Sequence, residues 1–227
     1  MRFNRLINLI GTEKFSRLAN RKIAVLGLGG VGSFAAESLV RSGIKKLLVV
    51  DYDLVDITNV NRQLIALNST LNQEKVAVFK SRALDINPEI NIETISQKIT
   101  SDNIHSILDR NIDYVLDCVD DLDAKLEIAK FCLENKINFI SAMGFANKMH
   151  PELIKIARLN QTKVCPLAKA YRRKVKLAGY PLNVDVVYSE EIPVKPLDSN
   201  ILGSNAVCPS TAGLLMSSHV INKILGE

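Results

Sequence analysis

The sequence predicts an α/β chain built on a doubly wound, mostly parallel sheet with helices on both faces and a C-terminal extension of strands and helices. Three observations carry that expectation. Short apolar runs such as Ile23-Ala-Val-Leu26 and Leu47-Leu-Val-Val50 have the composition of strands buried on both faces. They alternate with longer segments whose apolar residues recur at helical spacing. Between the first strand and the first such helix stands the turn Gly27-Leu-Gly29-Gly30-Val-Gly32. Strand, glycine turn and helix in that order open a Rossmann-like βαβ unit.

The elements follow in order. A strand at 22–27 leads into a helix at 30–42, with Val31, Ala35, Leu39 and Val40 on one face, and then a second strand at 46–51. A helix is expected over 72–86; it stops at Asn87-Pro88, because a residue preceding proline is pushed out of the helical region. Residues 91–96 alternate like a strand that is polar on one side. A helix at 101–109, a strand at 113–118, a helix at 123–135 and a strand at 138–142 continue the rhythm. Beyond Gly144 it changes: 152–159 and 184–189 read as strands, 163–178 as a basic helix or loop, and 210–225 as a helix, with a proline-containing stretch reaching about Pro196.

At 227 residues and 47% hydrophobic, the chain suits one domain spanning 1–227, with a core at 1–145 and a C-terminal part at 146–227. No apolar run approaches the roughly 18 residues that cross a bilayer. The opening Met1-Arg-Phe-Asn-Arg-Leu-Ile-Asn lacks the apolar region of a signal peptide, so a cytoplasmic location is the default expectation. Cys118, Cys132, Cys165 and Cys208 form no C-x-x-C pair, which argues against a disulfide scaffold and a structural zinc site. The net charge of +5 leans toward anionic partners.

The glycine turn is a phosphate cradle. Glycine lets backbone N–H groups approach a phosphate, and the following helix offers unsatisfied donors at the positive end of its dipole. Gly27, Gly29 and Gly32 keep the dinucleotide spacing and Gly30 adds a fourth glycine. Asp51 ends the second strand about twenty residues later, where a carboxylate accepts hydrogen bonds from a ribose. That pair fits NAD and ATP alike. The residues that follow favour a triphosphate, because Asn59, Arg62 and Gln63, with Lys75 beyond them, supply donors and positive charge of the kind β and γ phosphates need. Asp120, past the strand at 113–118, faces the same crevice and suits Mg2+ held against phosphates.

These residues as a set resemble the ThiF/MoeB/ubiquitin-activating superfamily of adenylating enzymes. The match runs through Gly27-x-Gly29-Gly30-x-Gly32, Asp51-x-Asp53, Asn59-x-x-Arg62-Gln63, Lys75, Asn87-Pro88 and Asp117-Cys-x-Asp120, and covers roughly residues 2–145. The resemblance implies that Asp51 binds ribose, that Asn59, Arg62 and Lys75 contact the triphosphate, and that Asp120 holds magnesium and phosphate. It places Arg5 as an arginine that reaches across a dimer interface to the neighbouring subunit's ATP. Catalytic roles then fall to Arg62, Lys75, Asp120 and Arg5, and a homodimer is expected.

The C-terminal part narrows the family. Members that activate sulfur carriers usually bear two zinc-binding C-x-x-C pairs, which are missing here, and position 121 is Asp where many relatives have Asn. Asp185 to Glu191, the tail from Leu202-Gly-Ser204 through Thr211-Ala-Gly213, and Ser217 to His219 are instead similar to the tRNA threonylcarbamoyladenosine dehydratase branch. Before them, 163–176 carries six cations and no acid, among them Lys169, Arg172, Arg173, Lys174 and Lys176, a stretch suited to tRNA phosphates. The branch uses ATP to activate the carboxylate of a threonyl group on a modified adenosine beside the anticodon, and the activated acyl group closes into a ring with net loss of water. The implied ligands are ATP, Mg2+ and tRNA carrying threonylcarbamoyladenosine. A monovalent cation and a docking sulfur-transfer protein are left open.

Each element also has a plainer reading. Asp53 and Asp56 suit turn or capping positions and are left out of the site. Cys118 and Cys132 fit the core, whereas Cys165 and Cys208, beside prolines, read as the more exposed pair. His105, His150 and His219 lack ligand spacing. The basic stretch alone could be a solvated helix face. Two other functions compete: adenylation of a ubiquitin-like sulfur carrier, which predicts zinc cysteines, and an NAD-dependent oxidoreductase, which predicts no Asn-x-x-Arg-Gln cluster and no need for Asp120.

Overall fold

The computed structural model describes residues 2–198 and 201–227. A seven-stranded sheet runs through it in the order β3-β2-β1-β4-β5-β7-β6. The strands are β1 (Lys22–Leu26), β2 (Lys46–Val50), β3 (Asn91–Ile95), β4 (Tyr114–Asp117), β5 (Asn138–Ala142), β6 (Ile154–Arg158) and β7 (Asp185–Ser189). All neighbours pair in parallel except β6 with β7, which are antiparallel at one edge. The C-terminal part thus completes the sheet of the nucleotide-type core.

Helices cover both faces. α2 (Thr12–Ala19), α3 (Gly32–Arg41), α4 (Lys75–Ile86) and α8 (Val207–Leu225) close one core with Ile23 and Val25 of β1. α5 (Ile104–Ile107), α6 (Leu122–Glu134) and α7 (Pro166–Leu177) close the other with Ala24 and Leu26. Successive β1 side chains alternate between the two cores, which is why the strand is apolar throughout its middle. Each fully buried large side chain, such as Phe79 on α4, contributes roughly 1.5–3 kcal/mol of burial.

The structure corrects several boundaries. Two helices precede β1 that the sequence pattern leaves unassigned, α1 (Asn4–Ile10) and α2. α1 buries no residue completely, so its periodicity is weak, while Arg17 of α2 donates to the Leu225 carbonyl and ties the N-terminus to the end of α8. The helix expected over 72–86 begins only at Lys75, because Asn72 adopts φ 62° in the preceding turn. The helix expected over 101–109 contracts to Ile104–Ile107. Asn103 accepts from the Thr100 N–H and donates to the Lys98 carbonyl, which holds the residues before it in a loop.

α8 starts three residues earlier than expected, because Asn205 Oδ1 accepts the N–H groups of Val207 and Cys208 at 2.9 Å each. Pro209 then falls in the first turn, where a missing N–H costs nothing. The segment read as a basic helix or loop is helical from Pro166.

Under the sheet lies a polar cluster of which the sequence motif marks only Asp117. Lys125 and Asp117 are fully buried and paired at 2.9 Å, and Ser141 shares the same carboxylate oxygen. The Lys125 ammonium also lies 5.8 Å from the centre of the Tyr171 ring. The cluster ties β4, β5, α6 and α7 together. Among the described residues, no helix is long and apolar enough to cross a membrane.

Candidate active site

A cavity of about 830 Å³ opens at the carboxyl ends of β1, β2, β4 and β5, where the strand order reverses on either side of β1. Its first wall is the glycine turn. Gly27 has φ +91°, and a Cβ there would lie 2.8 Å from the Cys118 carbonyl oxygen, so no other residue fits. At Gly29 a Cβ would meet nothing within 4 Å, which leaves the backbone open to a ligand. Gly30 packs on Pro209 and Arg62, while Gly32 stands behind the turn and lets α3 approach the Gly27 carbonyl.

Asp51 supports this wall from β2. Its Oδ2 accepts the Leu28 N–H at 2.6 Å and its Oδ1 accepts the Asp53 N–H at 2.9 Å. Burial pushes its carboxyl above the usual range, against the opposing pull of Lys75 and those two N–H groups. Lys75 is the first residue of α4. Its ammonium lies 2.7 Å from Asp53 and 3.9 Å from Asp51, with its side chain only 4% exposed. Asp53 therefore does more than fill a turn, whereas Asp56 is a cap, accepting from the Thr58 N–H at 2.8 Å.

Asn59 and Arg62 line the same cavity from a short 3-10 turn and the residues after it. Arg62 donates to the Thr58 carbonyl at 2.7 Å, which points the guanidinium back over the turn. Gln63 is buried beside them, and its Oε1 has no partner among the described residues. Asp120 is exposed at the cavity edge and accepts no hydrogen bond from the described residues. Asp121 is the N-cap of α6, accepting from Asp123 and Ala124, and pairs with Lys98 at 3.0 Å.

The structure therefore brings together Gly27, Gly29, Gly30, Asp51, Asn59, Arg62, Lys75 and Asp120. Arg5 is exposed on α1 and is not among the residues lining the cavity of its own chain. α7 begins at the cavity with Pro166 and Leu167. Its Lys169, Arg173 and Lys176 form one exposed stripe with no partner among the described residues. Arg172 turns inward onto the Thr162 carbonyl at 2.8 Å, and Lys174 pairs with Asp123.

Cys165 and Cys208, expected to be the exposed cysteines, are instead 2% and 0% exposed. Cys165 is the N-cap of α7, and Cys208 lies in the first turn of α8. Burial pushes the thiols of Cys118, Cys132 and Cys208 up, away from thiolate chemistry. His219 pairs with Asp185 at 3.2 Å, His150 with Glu152 at 2.8 Å, and His105 stacks edge-on against Phe131.

Sequence reasoning missed Tyr52, Gln97, Lys98 and Lys148, all of which line the cavity. Each lies past the carboxyl end of a strand, the same positional signal that found Asp51 and Asp120.

Residues 3–227 match the ThiF family. The chain belongs to that family. It is 41% identical to the tRNA threonylcarbamoyladenosine dehydratase of Bacillus subtilis, over 99% of this chain and 95% of that protein. It is 32% identical to the dehydratase of the same description from Haemophilus influenzae, over 99% of this chain and 93% of that one. The crystal structure of the Escherichia coli enzyme, TcdA, in complex with ATP superposes with a TM-score of 0.94 at 31% identity, covering 99% of this chain and 94% of that chain.

Proposed function

We propose that this protein is an ATP-dependent tRNA threonylcarbamoyladenosine dehydratase. The observation that carries the reading is a single cavity lined both by the phosphate-type set and by residues 146–148, 165–167, Leu202, Ser204 and Pro209 of the C-terminal part. ATP and an acceptor can share that space. The full-length likeness to bacterial dehydratases supports the substrate.

Residues 1–145 bind ATP and residues 146–227 hold the modified adenosine and its tRNA. The N–H groups of the glycine turn and the side chains of Asn59, Arg62 and Lys75 neutralise the polyphosphate, and Asp51 takes the ribose. Asp120 would hold Mg2+, since a site completed by phosphates needs only one or two carboxylates, and the ion would supply charge stabilisation at phosphorus.

A carboxylate is a poor electrophile because oxide is a prohibitive leaving group. One oxygen of the threonyl carboxylate bonds to phosphorus of ATP while a phosphate or pyrophosphate group leaves. A nucleophile within the same substrate then attacks the acyl carbon, gives up its proton, and expels the phosphorus-bound oxygen. The adenosine ends lighter by one water. No enzyme thiol takes part, in keeping with the burial of Cys165 and the raised thiols of Cys118, Cys132 and Cys208. The enzyme's contribution is alignment and electrostatic stabilisation.

A homodimer in which Arg5 of one subunit reaches the ATP of the other completes the proposal, with the reaction placed in the cytoplasm; the chemistry needs no sulfur-transfer partner. The test is incubation with ATP, Mg2+ and tRNA carrying threonylcarbamoyladenosine, followed by mass analysis of the released nucleosides. Loss of one water that requires ATP is expected. An unchanged nucleoside under conditions where ATP binds would overturn the reading.

A further inference from the structure

The acceptor side of the cavity holds one feature that the phosphate chemistry does not use. Lys148 lies in the loop after β5, lines the cavity, and is 1% exposed. Its ammonium donates to the Glu191 carbonyl at 2.5 Å, the one hydrogen bond it makes to the described residues. An ammonium has three donors. The same cavity is also lined by Met143, Phe145, Cys165, Leu167, Pro193 and Leu202, none of them charged.

The acid beside it is already engaged elsewhere. Glu191 is buried, and its carboxylate accepts the N–H groups of Met149 at 2.8 Å and His150 at 2.9 Å. The loop itself is fixed from several sides. Asn147 donates its N–H to the Gly203 carbonyl and accepts from the Gly203 N–H, both at 2.8 Å, and Asn205 donates to the Lys148 carbonyl at 2.6 Å. Asn205 also caps α8, whose Pro209 packs on Gly30 of the phosphate turn. Lys148 is thus held on a rigid frame that joins the acceptor half to the glycine turn.

A buried ammonium with donors left over, lining a cavity, is a costly arrangement unless an anion completes it. We propose that Lys148 is the residue that binds the carboxylate to be activated, so that the acceptor half selects a free carboxylate on its substrate. This rests on the dehydratase reading and names the group by which that substrate is recognised. Burial pushes the Lys148 amine down, with Cys165, Glu191 and Cys208 opposing, so an arriving carboxylate would also secure its charge.

The test measures binding of two tRNAs to the full chain loaded with a non-hydrolysable ATP analogue: one bearing threonylcarbamoyladenosine, the other with its threonyl carboxylate converted to the methyl ester. The wild-type protein is expected to bind the acid about tenfold to a hundredfold more tightly, the range of a charge-assisted hydrogen bond. Lys148→Met is expected to bind acid and ester equally, with unchanged affinity for the ATP analogue. If the Met variant does not fold, Lys148→Gln keeps a donor toward Glu191, loses the charge, and is expected to give the same result. A variant that still prefers the acid overturns the proposal, whether or not its ATP affinity has fallen, and a fall would mark Lys148 as a phosphate contact. A wild-type protein that binds neither tRNA, while still binding the ATP analogue, overturns the dehydratase reading itself.

Discussion

The Lys75 ammonium sits 2.7 Å from the Asp53 carboxylate and 3.9 Å from that of Asp51, which puts one buried cation between two acids at the mouth of the phosphate cradle. Removing it leaves the acids facing one another where polyphosphate must enter. Lys75→Met is expected to weaken ATP binding at least about tenfold, since each charge-assisted contact to phosphate is worth about 1.5–3 kcal/mol. Calorimetric titration with ATP checks this, and unchanged affinity would remove Lys75 from the phosphate contacts.

Arg62→Ala and Asp120→Ala are expected to abolish turnover while leaving the melting temperature nearly unchanged. Among the described residues the Arg62 side chain bonds only to Thr58 and Asn61 of its own turn and Asp120 accepts no hydrogen bond, so neither side chain supports the core. Single-turnover assays beside thermal melts separate the two effects. Full activity in both variants would contradict the site.

On α7 the five cations divide by geometry. Neutralising Lys169, Arg173 or Lys176 is expected to flatten the log–log salt dependence of tRNA binding by about 0.7–0.9 for each phosphate that is no longer paired. Arg172→Ala should leave that slope unchanged and instead cost stability, because its guanidinium holds the turn at Thr162. Filter binding across a salt series, with urea denaturation of each variant, distinguishes these outcomes.

Glu37 on α3 gives a pH-dependent term. Burial alone would push its carboxyl up, but hydrogen bonds from Arg82 and Arg41 together outweigh this and hold it below the ordinary value of 4.5. A folded-state pKa below the unfolded one adds stability that is present above the unfolded value and is lost as pH falls through the folded one. Glu37→Gln is therefore expected to cost about 1–2 kcal/mol at neutral pH. The difference from wild type should shrink as pH falls below 4.5 and vanish once pH is below the folded-state value, where both chains are neutral at this position. Denaturant midpoints at several pH values read it directly.

Much of this molecule is legible in its sequence because the glycine turn and strand ends are local features. Gly27, Gly29, Gly30, Gly32, Asp51, Asn59, Arg62, Lys75 and Asp120 each follow from motif spacing or strand position, and the structure gathers all but Gly32 around one cavity. What escaped depends on tertiary packing. Nothing in the sequence marks Lys125 for burial; Asp117 and Ser141 meet it under the sheet. Cys165 and Cys208 read as exposed loop residues until α7 and α8 bury them. Lys148 carries no motif; its place follows only from the loops that Asn147 and Asn205 hold together.

That ATP activates the substrate's own carboxylate can be followed atom by atom. Substrate tRNA whose threonyl carboxylate is enriched in oxygen-18 is incubated with the protein, ATP and Mg2+, and the phosphorus products are weighed by mass spectrometry. One labelled oxygen per turnover is expected in AMP or inorganic phosphate, as the carboxylate oxygen departs bonded to phosphorus. Label found only in water, with none in either phosphorus product, would contradict activation of that carboxylate by ATP.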